Sequence, residues 1–372
     1  MSFSFFVHIV GLLFSAFVAG ILVGVLFSHA LREKVIAFLR LKHLPYLRLT
    51  KALRNPLLTP NNTSWMSKAV SNPAALVLEG HTHLVFRALG TDAISRLGYA
   101  RSTDGITFDA RSPYPMYTAQ KSHHVPGQHR LHSESPRMVC IDGRVYLTTT
   151  IADESTSSIA LLSMSVDDFT SGRFWKWDGP HFLSKPGEHH TDWTLFPEKI
   201  GGKYAVLHRI TPTVEVAYRD TLEAVGTTEP YVTSWVDTPD ALPTRNRGWD
   251  TNVHSVGPPP LRTNEGWLVL YHAMDDNDPG RYKLGALLLD LADPTRVLYR
   301  SGDPVLVPTE GYENHKHPGV IRACGATIQD GTLFVYYGGG DTTVCAATAP
   351  LTAFLRALIA GSQPTLYTLE SR

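Results

Sequence analysis

A chain of 372 residues with 43% hydrophobic and 18% charged residues is globular and long enough for one large domain. Its 34 basic and 34 acidic residues cancel, which excludes the global positive field of a nucleic-acid binder. Cys140, Cys324 and Cys345 lack CxxC spacing, so neither a zinc knuckle nor a disulfide framework is expected, and the count fits a reducing compartment.

Phe5 to Phe27 contains no Asp, Glu, Lys or Arg. As a helix the run extends about 34 Å, enough for the hydrocarbon layer of a bilayer. A basic n-region and a shorter apolar core would mark a cleaved signal; both are missing, so residues 5–27 are expected to be a membrane anchor. Arg32, Lys34, Arg40, Lys42, Arg48 and Lys51 follow the span and none precedes it, which places the bulk of a single-pass protein in the cytosol. The sequons of Asn61-Asn62-Thr63-Ser64 leave a lumenal placement as the alternative. Leu31 to Arg54 alternates basic residues with leucines, so residues 28–64 are expected to form a juxtamembrane helix and linker.

From residue 65 the pattern turns to short strands and turns. A glycine opens an apolar, aromatic-rich strand at Gly80, Gly143, Gly202, Gly266 and Gly331, at intervals of about 60 residues. That period holds four short strands, which is one propeller blade. The fold class is therefore all-β: residues 65–372 are expected to form a five-bladed β-propeller behind one N-terminal transmembrane helix. The repeat strands end in Arg87, Thr150, His208-Arg209, His272 and Gly338, side chains that blades would set around one axis.

Three segments are too polar for ordinary strand edges: Glu134-Ser135-Pro136-Arg137, Phe196-Pro197-Glu198-Lys199 with His208-Arg209, and Tyr336 to Asp341. Arg137, Lys199, His208 and Arg209 together would make a cationic pocket for phosphate, with arginine supplying forked donors. Asp341, after a glycine run, is placed to accept hydrogen bonds from sugar hydroxyls. Trp193, Trp267, Tyr271 and Tyr336 are candidates to stack on sugar rings. Each also has an ordinary role, Arg137 with Glu134 as a structural ion pair and the aromatics as blade core. His123-His124, His189-His190 and His315-Lys316-His317 lack the carboxylate spacing of a metal site, and no Walker loop, Rossmann fingerprint or nucleophile elbow suggests a cofactor.

The order of Asn72-Pro73, Arg87-Ala88, Gly98 to Ile106, Glu134 to Arg137, Phe196 to Lys199, His208-Arg209, Gly257 to Pro260, the Gly266 strand and Tyr282 to Arg300 resembles that of inverting β-mannoside phosphorylases. The likeness continues from Leu306 to Leu351, and the chain is also similar to protozoan β-1,2-mannosyltransferase/phosphorylases. The resemblance implies a five-bladed propeller acting on mannosides or mannooligosaccharides with phosphate or GDP-mannose. It implies phosphate contacts at Arg137, Lys199, His208 and Arg209, and sugar contacts at Arg87, Glu134, Asp104, Tyr271 or His272, and Asp341. The family pattern is Glu-Asp-Pro-Arg with the aspartate as general acid, and Ser135 stands at that position. Glu134 next door points away if strand alternation holds. A serine hydroxyl is a poor proton donor, so transfer from GDP-mannose, with Asp104 or Glu198 as base, suffers less than phosphorolysis. A catalytically silent mannoside-binding propeller is the other reading.

Overall fold

The computed structural model describes residues 47–119, 131–153, 155–184, 189–211, 214–222, 248–314 and 319–361. The expected span at 5–27 and the flanking residues to 46 lie outside them. Among the described residues no helix is long and apolar enough to cross a membrane.

The strands form five antiparallel sheets arranged as the blades of a propeller. A first short strand, β1 (Thr50–Lys51), precedes blade 1, which contains β2 (Ala69–Leu78), β3 (His81–Leu89), β4 (Ser95–Ser102) and β5 (Ala110–Arg111). Blade 2 holds β6 (His132–Ile141), β7 (Arg144–Ala152), β8 (Ser157–Ser165) and β9 (Asp178–Phe182), with helix α1 (Val166–Thr170) after β8. The described part of blade 3 is β10 (Thr194–Leu195), β11 (Tyr204–Arg209) and β12 (Glu215–Arg219). Blade 4 comprises β13 (Asn252–Val256) and β14 (Leu261–Arg262), both paired with β15 (Trp267–Met274), then β16 (Lys283–Leu289) and β17 (Val297–Arg300). Blade 5 is β18 (Ile321–Gln329), β19 (Thr332–Gly339) and β20 (Thr343–Pro350), followed by helix α2 (Leu351–Gly361).

β1 adds to blade 5 as its outer strand, Thr50 opposite Thr348 and Lys51 opposite Ala347. Asn55 reinforces the join, its carboxamide exchanging two 2.8 Å hydrogen bonds with the backbone of Ala346. Lys51 reaches Glu313 at 2.6 Å. Thr50–Lys51, within the expected linker 28–64, is thus a strand of the blade 5 sheet; residues 28–46 of that stretch lie outside the described residues.

The sequence repeat is a hairpin turn. Glu79-Gly80, Asp142-Gly143, Gly201-Gly202 and Asp330-Gly331 each place two successive residues at positive φ, the geometry of a two-residue type I′ connection. Glycine recurs there for its backbone freedom, since a Cβ at these four glycines would meet nothing within 4 Å. The strand it opens is the second from the axis; the innermost strands are those before each turn. Cores lie between neighbouring blades: Phe196 of blade 3 packs edge-on to Trp267 of blade 4, ring centres 5.0 Å apart. Ala74, Val85 and Leu97 of blade 1 meet Met138, Leu147 and Leu162 of blade 2. Burying each large side chain in these layers contributes about 1.5–3 kcal/mol.

Candidate functional site

The hairpin turns mark one end of the blades, so the starts of the innermost strands and the ends of the second strands share the other end. There the inner strands depart from regular pairing: the register shifts between Ser71 and Ala74, Glu134 and Arg137, Val253 and Ser255, and Ala323 and Gly325. In blades 1 and 2 the cause is a proline, Pro73 or Pro136, which cannot donate to the ladder. The residues before them, Asn72 and Ser135, sit at φ 51° and 48°. Non-glycine residues in that region are strained and concentrate at functional sites.

Arg87, at the end of β3, draws three blades together. Its Nε lies 2.9 Å from Ser95 Oγ and 3.2 Å from Glu134 Oε1, and its Nη1 lies 3.4 Å from Asp341 Oδ2. Two carboxylates share one guanidinium, and both keep exposed surface, 39% for Glu134 and 28% for Asp341. Ser135 lies beside this group, its Oγ accepting from Asn72 Nδ2 at 3.4 Å. The bulge breaks strict alternation, so Glu134 and Ser135 both reach blade 1; the expectation that they face apart does not hold.

Beneath the rim the axis is plugged. Arg137 is 2% exposed and donates to Gly257 O at 2.7 Å, Val256 O at 2.8 Å, Ser135 O at 2.9 Å and Asp192 Oδ1 at 3.0 Å. Its fork is spent tying blades 2, 3 and 4, which leaves it no face for a phosphate. Burial pulls the Asp192 carboxyl upward, but the Arg137 and Arg322 cations and the His272 field outweigh it and hold it at about 2. His272 Nε2 accepts from the Ala323 amide at 2.9 Å and Nδ1 faces Ser255 Oγ at 3.2 Å, so the ring is neutral and its proton sits on Nδ1. Burial, then the Arg322 charge, pushes its pKa down to about 3. Tyr271 is buried in blade 4, its hydroxyl 2.7 Å from Asp250 Oδ2, with Arg300 Nη2 on the same oxygen at 2.7 Å. Neither Tyr271 nor His272 is open to a sugar.

The expected cationic pocket does not assemble. His208 and Arg209 end β11 at the rim, whereas Lys199 lies by the opposite turn, bound to Asp142 Oδ2 at 2.8 Å and over the Tyr204 ring. From Lys203, which pairs with Ile200, to His208 is roughly 16 Å of strand. Glu198 shares that end and holds Arg262 at 2.9 Å. Asp104 follows β4 at the turn end too, where its carboxylate accepts from the Thr107 and Ile106 amides and the Ser102 hydroxyl. Burial would raise its pKa, but these hydrogen bonds win and depress it. Asp104 and Glu198 are thus fixed in turns away from Ser135. Trp267 and Tyr336 are fully buried and Trp193 nearly so, which makes them blade core.

His208 packs on Trp193 with ring centres 5.1 Å apart and approaches Glu215 Oε2 at 3.5 Å. Burial, then Arg209 and His190, lower its pKa to about 4, so at neutral pH it offers hydrogen bonds and no charge. Arg209 touches Glu215 Oε1 at 3.1 Å and stays 39% exposed, a cation at the rim. Sequence reading missed Arg322, His254 and Tyr282. Arg322 starts β18 and lies over the Tyr282 ring at 5.2 Å, and Tyr282 meets His254 edge-on at 5.0 Å. No motif flags Arg322 or His254, and Tyr282 stood only as the start of the Tyr282 to Arg300 segment; Asn72-Pro73 repeats the Xaa-Pro of Ser135-Pro136 and could have been paired with it.

His83 and His208, both at about 4, and His272, at about 3, give a pH prediction. An unfolded histidine takes its proton near 6.5 and these folded ones do so far lower, so the unfolded state binds more protons in between. Their contribution is complete above pH 6.5 and is lost as pH falls toward 3–4. Calorimetric Tm is expected to decline steadily from pH 7 to pH 4; a flat profile would count against buried neutral imidazoles.

Residues 42–358 match the family described as β-1,4-mannooligosaccharide phosphorylase. A 1,2-β-oligomannan phosphorylase of Thermoanaerobacter sp. (strain X514) is 36% identical over 312 residues, 80% of this chain and 96% of the relative. A β-1,2-mannobiose phosphorylase of the same organism is 32% identical over 314 residues, 80% and 95% of the two chains. In fold, the chain is similar to β-1,2-mannobiose phosphorylase from Listeria innocua in complex with β-1,2-mannobiose. That likeness has a TM-score of 0.67 at 24% identity and covers 84% of this chain and 99% of that one.

Proposed function

This chain belongs to the β-1,4-mannooligosaccharide phosphorylase family, and we propose that it acts on β-linked mannosides, with inorganic phosphate as second substrate, at the rim formed by Arg87, Glu134, Ser135 and Asp341. The observation that carries this reading is Arg87 held between two half-open carboxylates. Such a group offers vicinal sugar hydroxyls both acceptors and a forked donor. Arg322, over the Tyr282 ring, and Arg209, which is paired with Glu215, are the cations at that end of the blades that phosphate would meet. Relatives named as phosphorylases support phosphate over GDP-mannose, which stays the alternative donor.

In phosphorolysis a phosphate oxygen bonds to the anomeric carbon as the glycosidic C–O bond breaks, and the departing oxygen takes a proton. Ser135 Oγ accepts from Asn72, and its own proton is free to point at a substrate hydroxyl. It can relay a proton but is a weak source of one. That favours a second reading, mannoside binding without turnover, because Asp192 is locked to Arg137 and Glu134 is held by Arg87. The apolar stretch 5–27 and the basic residues after it support a membrane anchor with the propeller in the cytosol; an N-glycan on Asn61 or Asn62 would reverse that placement.

The test is the full chain with β-1,2-mannobiose and phosphate, followed for mannose 1-phosphate. Product is expected, and Asp341→Ala should weaken mannoside binding by about ten-fold or more, as the loss of charge-assisted hydrogen bonds does. Product from GDP-mannose and none with phosphate would change the donor. Retained binding with no product from either leaves the silent propeller.

A further inference from the structure

Glu313 is a fully buried carboxylate in the single 3-10 turn Gly311–Glu313, between β1 and β19. Its Oε2 meets Lys51 Nζ at 2.6 Å and accepts from the Glu310 amide at 2.8 Å. Its Oε1 accepts from the Tyr337 hydroxyl at 2.8 Å. Burial raises the pKa of the Tyr337 phenol, so it stays protonated and donates. Among the described residues Lys51 is the one cation paired with this carboxylate. A buried charge is costly unless it is paired, so the placement of Glu313 depends on a lysine that β1 supplies. Asn55, four residues on, donates to the Tyr312 hydroxyl at 3.3 Å and to the Tyr337 hydroxyl at 3.5 Å.

These contacts lead to Asp341. Tyr337 lies two residues before Gly339 on β19, and Gly340 and Asp341 begin the turn into β20, at φ 54° and 58°. That turn rests on Val320 and Tyr312. The Gly340 amide donates to Val320 O at 3.0 Å, and a Cβ on Gly339 would come within 3.3 Å of Tyr312 O. Asp341 Oδ2 in turn meets Arg87 Nη1 at 3.4 Å. β1 stands two strands out from β19, about 10 Å, so Lys51, with its ammonium on Glu313, does not itself reach the rim.

We propose that Lys51 is a positioning residue for Asp341. By neutralising Glu313 it holds Tyr312 and Tyr337 in place, and these fix the turn whose carboxylate steadies Arg87. The effect on substrate rests on the reading of Asp341 as a mannoside contact; the effect on Arg87 does not.

Phenylglyoxal labelling of the full chain, read by peptide mass spectrometry, follows Arg87, which Asp341 and Glu134 guard. Lys51→Met is expected to speed labelling of Arg87 while that of the exposed Arg296 of blade 4 stays constant. With β-1,2-mannobiose and phosphate, the same variant should raise KM toward the change of about ten-fold or more expected for Asp341→Ala, with kcat near its native value. A fall in Tm with Arg87 labelling unchanged would mean that Lys51 is only structural, and would overturn the proposal. The double variant is the sharper arm. With Asp341→Ala already present, Lys51→Met should add nothing to Arg87 labelling, because the two act in series. An equal increment in both backgrounds would overturn the proposal too. Should Lys51→Met fail to fold, Tyr337→Phe deletes one hydrogen bond to Glu313 and is expected to speed Arg87 labelling to a smaller extent; no change there would count equally against it. Faster labelling in a chain that binds no mannoside would support the tether and count against the mannoside reading alone.

Discussion

Ser135→Asp is expected to raise phosphorolysis of β-1,2-mannobiose by about 10²–10⁴-fold, the usual worth of a positioned general acid. The backbone accepts the change: φ at 135 is 48°, a region that aspartate tolerates better than most residues. Asn72 Nδ2, now 3.4 Å from the serine oxygen, is placed to steady the new carboxyl group. The expected gain lies in kcat with the disaccharide, because a sugar oxygen needs a proton to leave. Donors whose leaving group needs none should gain little. Small change with either class, beside activity of the native chain, would mean that another group handles the proton. Inactivity of both forms with mannoside binding intact would favour the silent propeller.

Arg137→Ala is expected to destabilise the propeller by about 3–5 kcal/mol, because it strands the buried Asp192 carboxylate and leaves the Gly257 and Val256 carbonyls without their donor. At roughly 2 °C per kcal/mol for a domain of this size, Tm should fall by roughly 6–10 °C. Arg137→Lys should recover only part, since an ammonium cannot serve four acceptors spread over three blades. Unaltered Tm with a selective rise in the KM for phosphate would restore Arg137 to the substrate site and remove it from the plug.

The sequence by itself determined the blades. A type I′ hairpin needs positive φ at two adjacent residues, so Asp142-Gly143 or Asp330-Gly331 announces its turn within a few residues of chain. Five glycine-opened strands at a steady period, four of them behind such a turn, were enough to count the blades, and the ordered motifs were enough to show the family resemblance. Tertiary structure alone decided which cations are buried and which keep exposed surface, and which carboxylates meet. Lys199 and His208 are nine positions apart and lie at opposite ends of a hairpin, while Arg87 and Asp341 are 254 apart and touch. Arg137 looks identical to Arg209 in the sequence, yet one is spent on carbonyls 119 and 120 residues away and the other stays half in solvent. Turn geometry is set by local sterics, whereas the availability of a charge depends on partners that only the closed ring supplies.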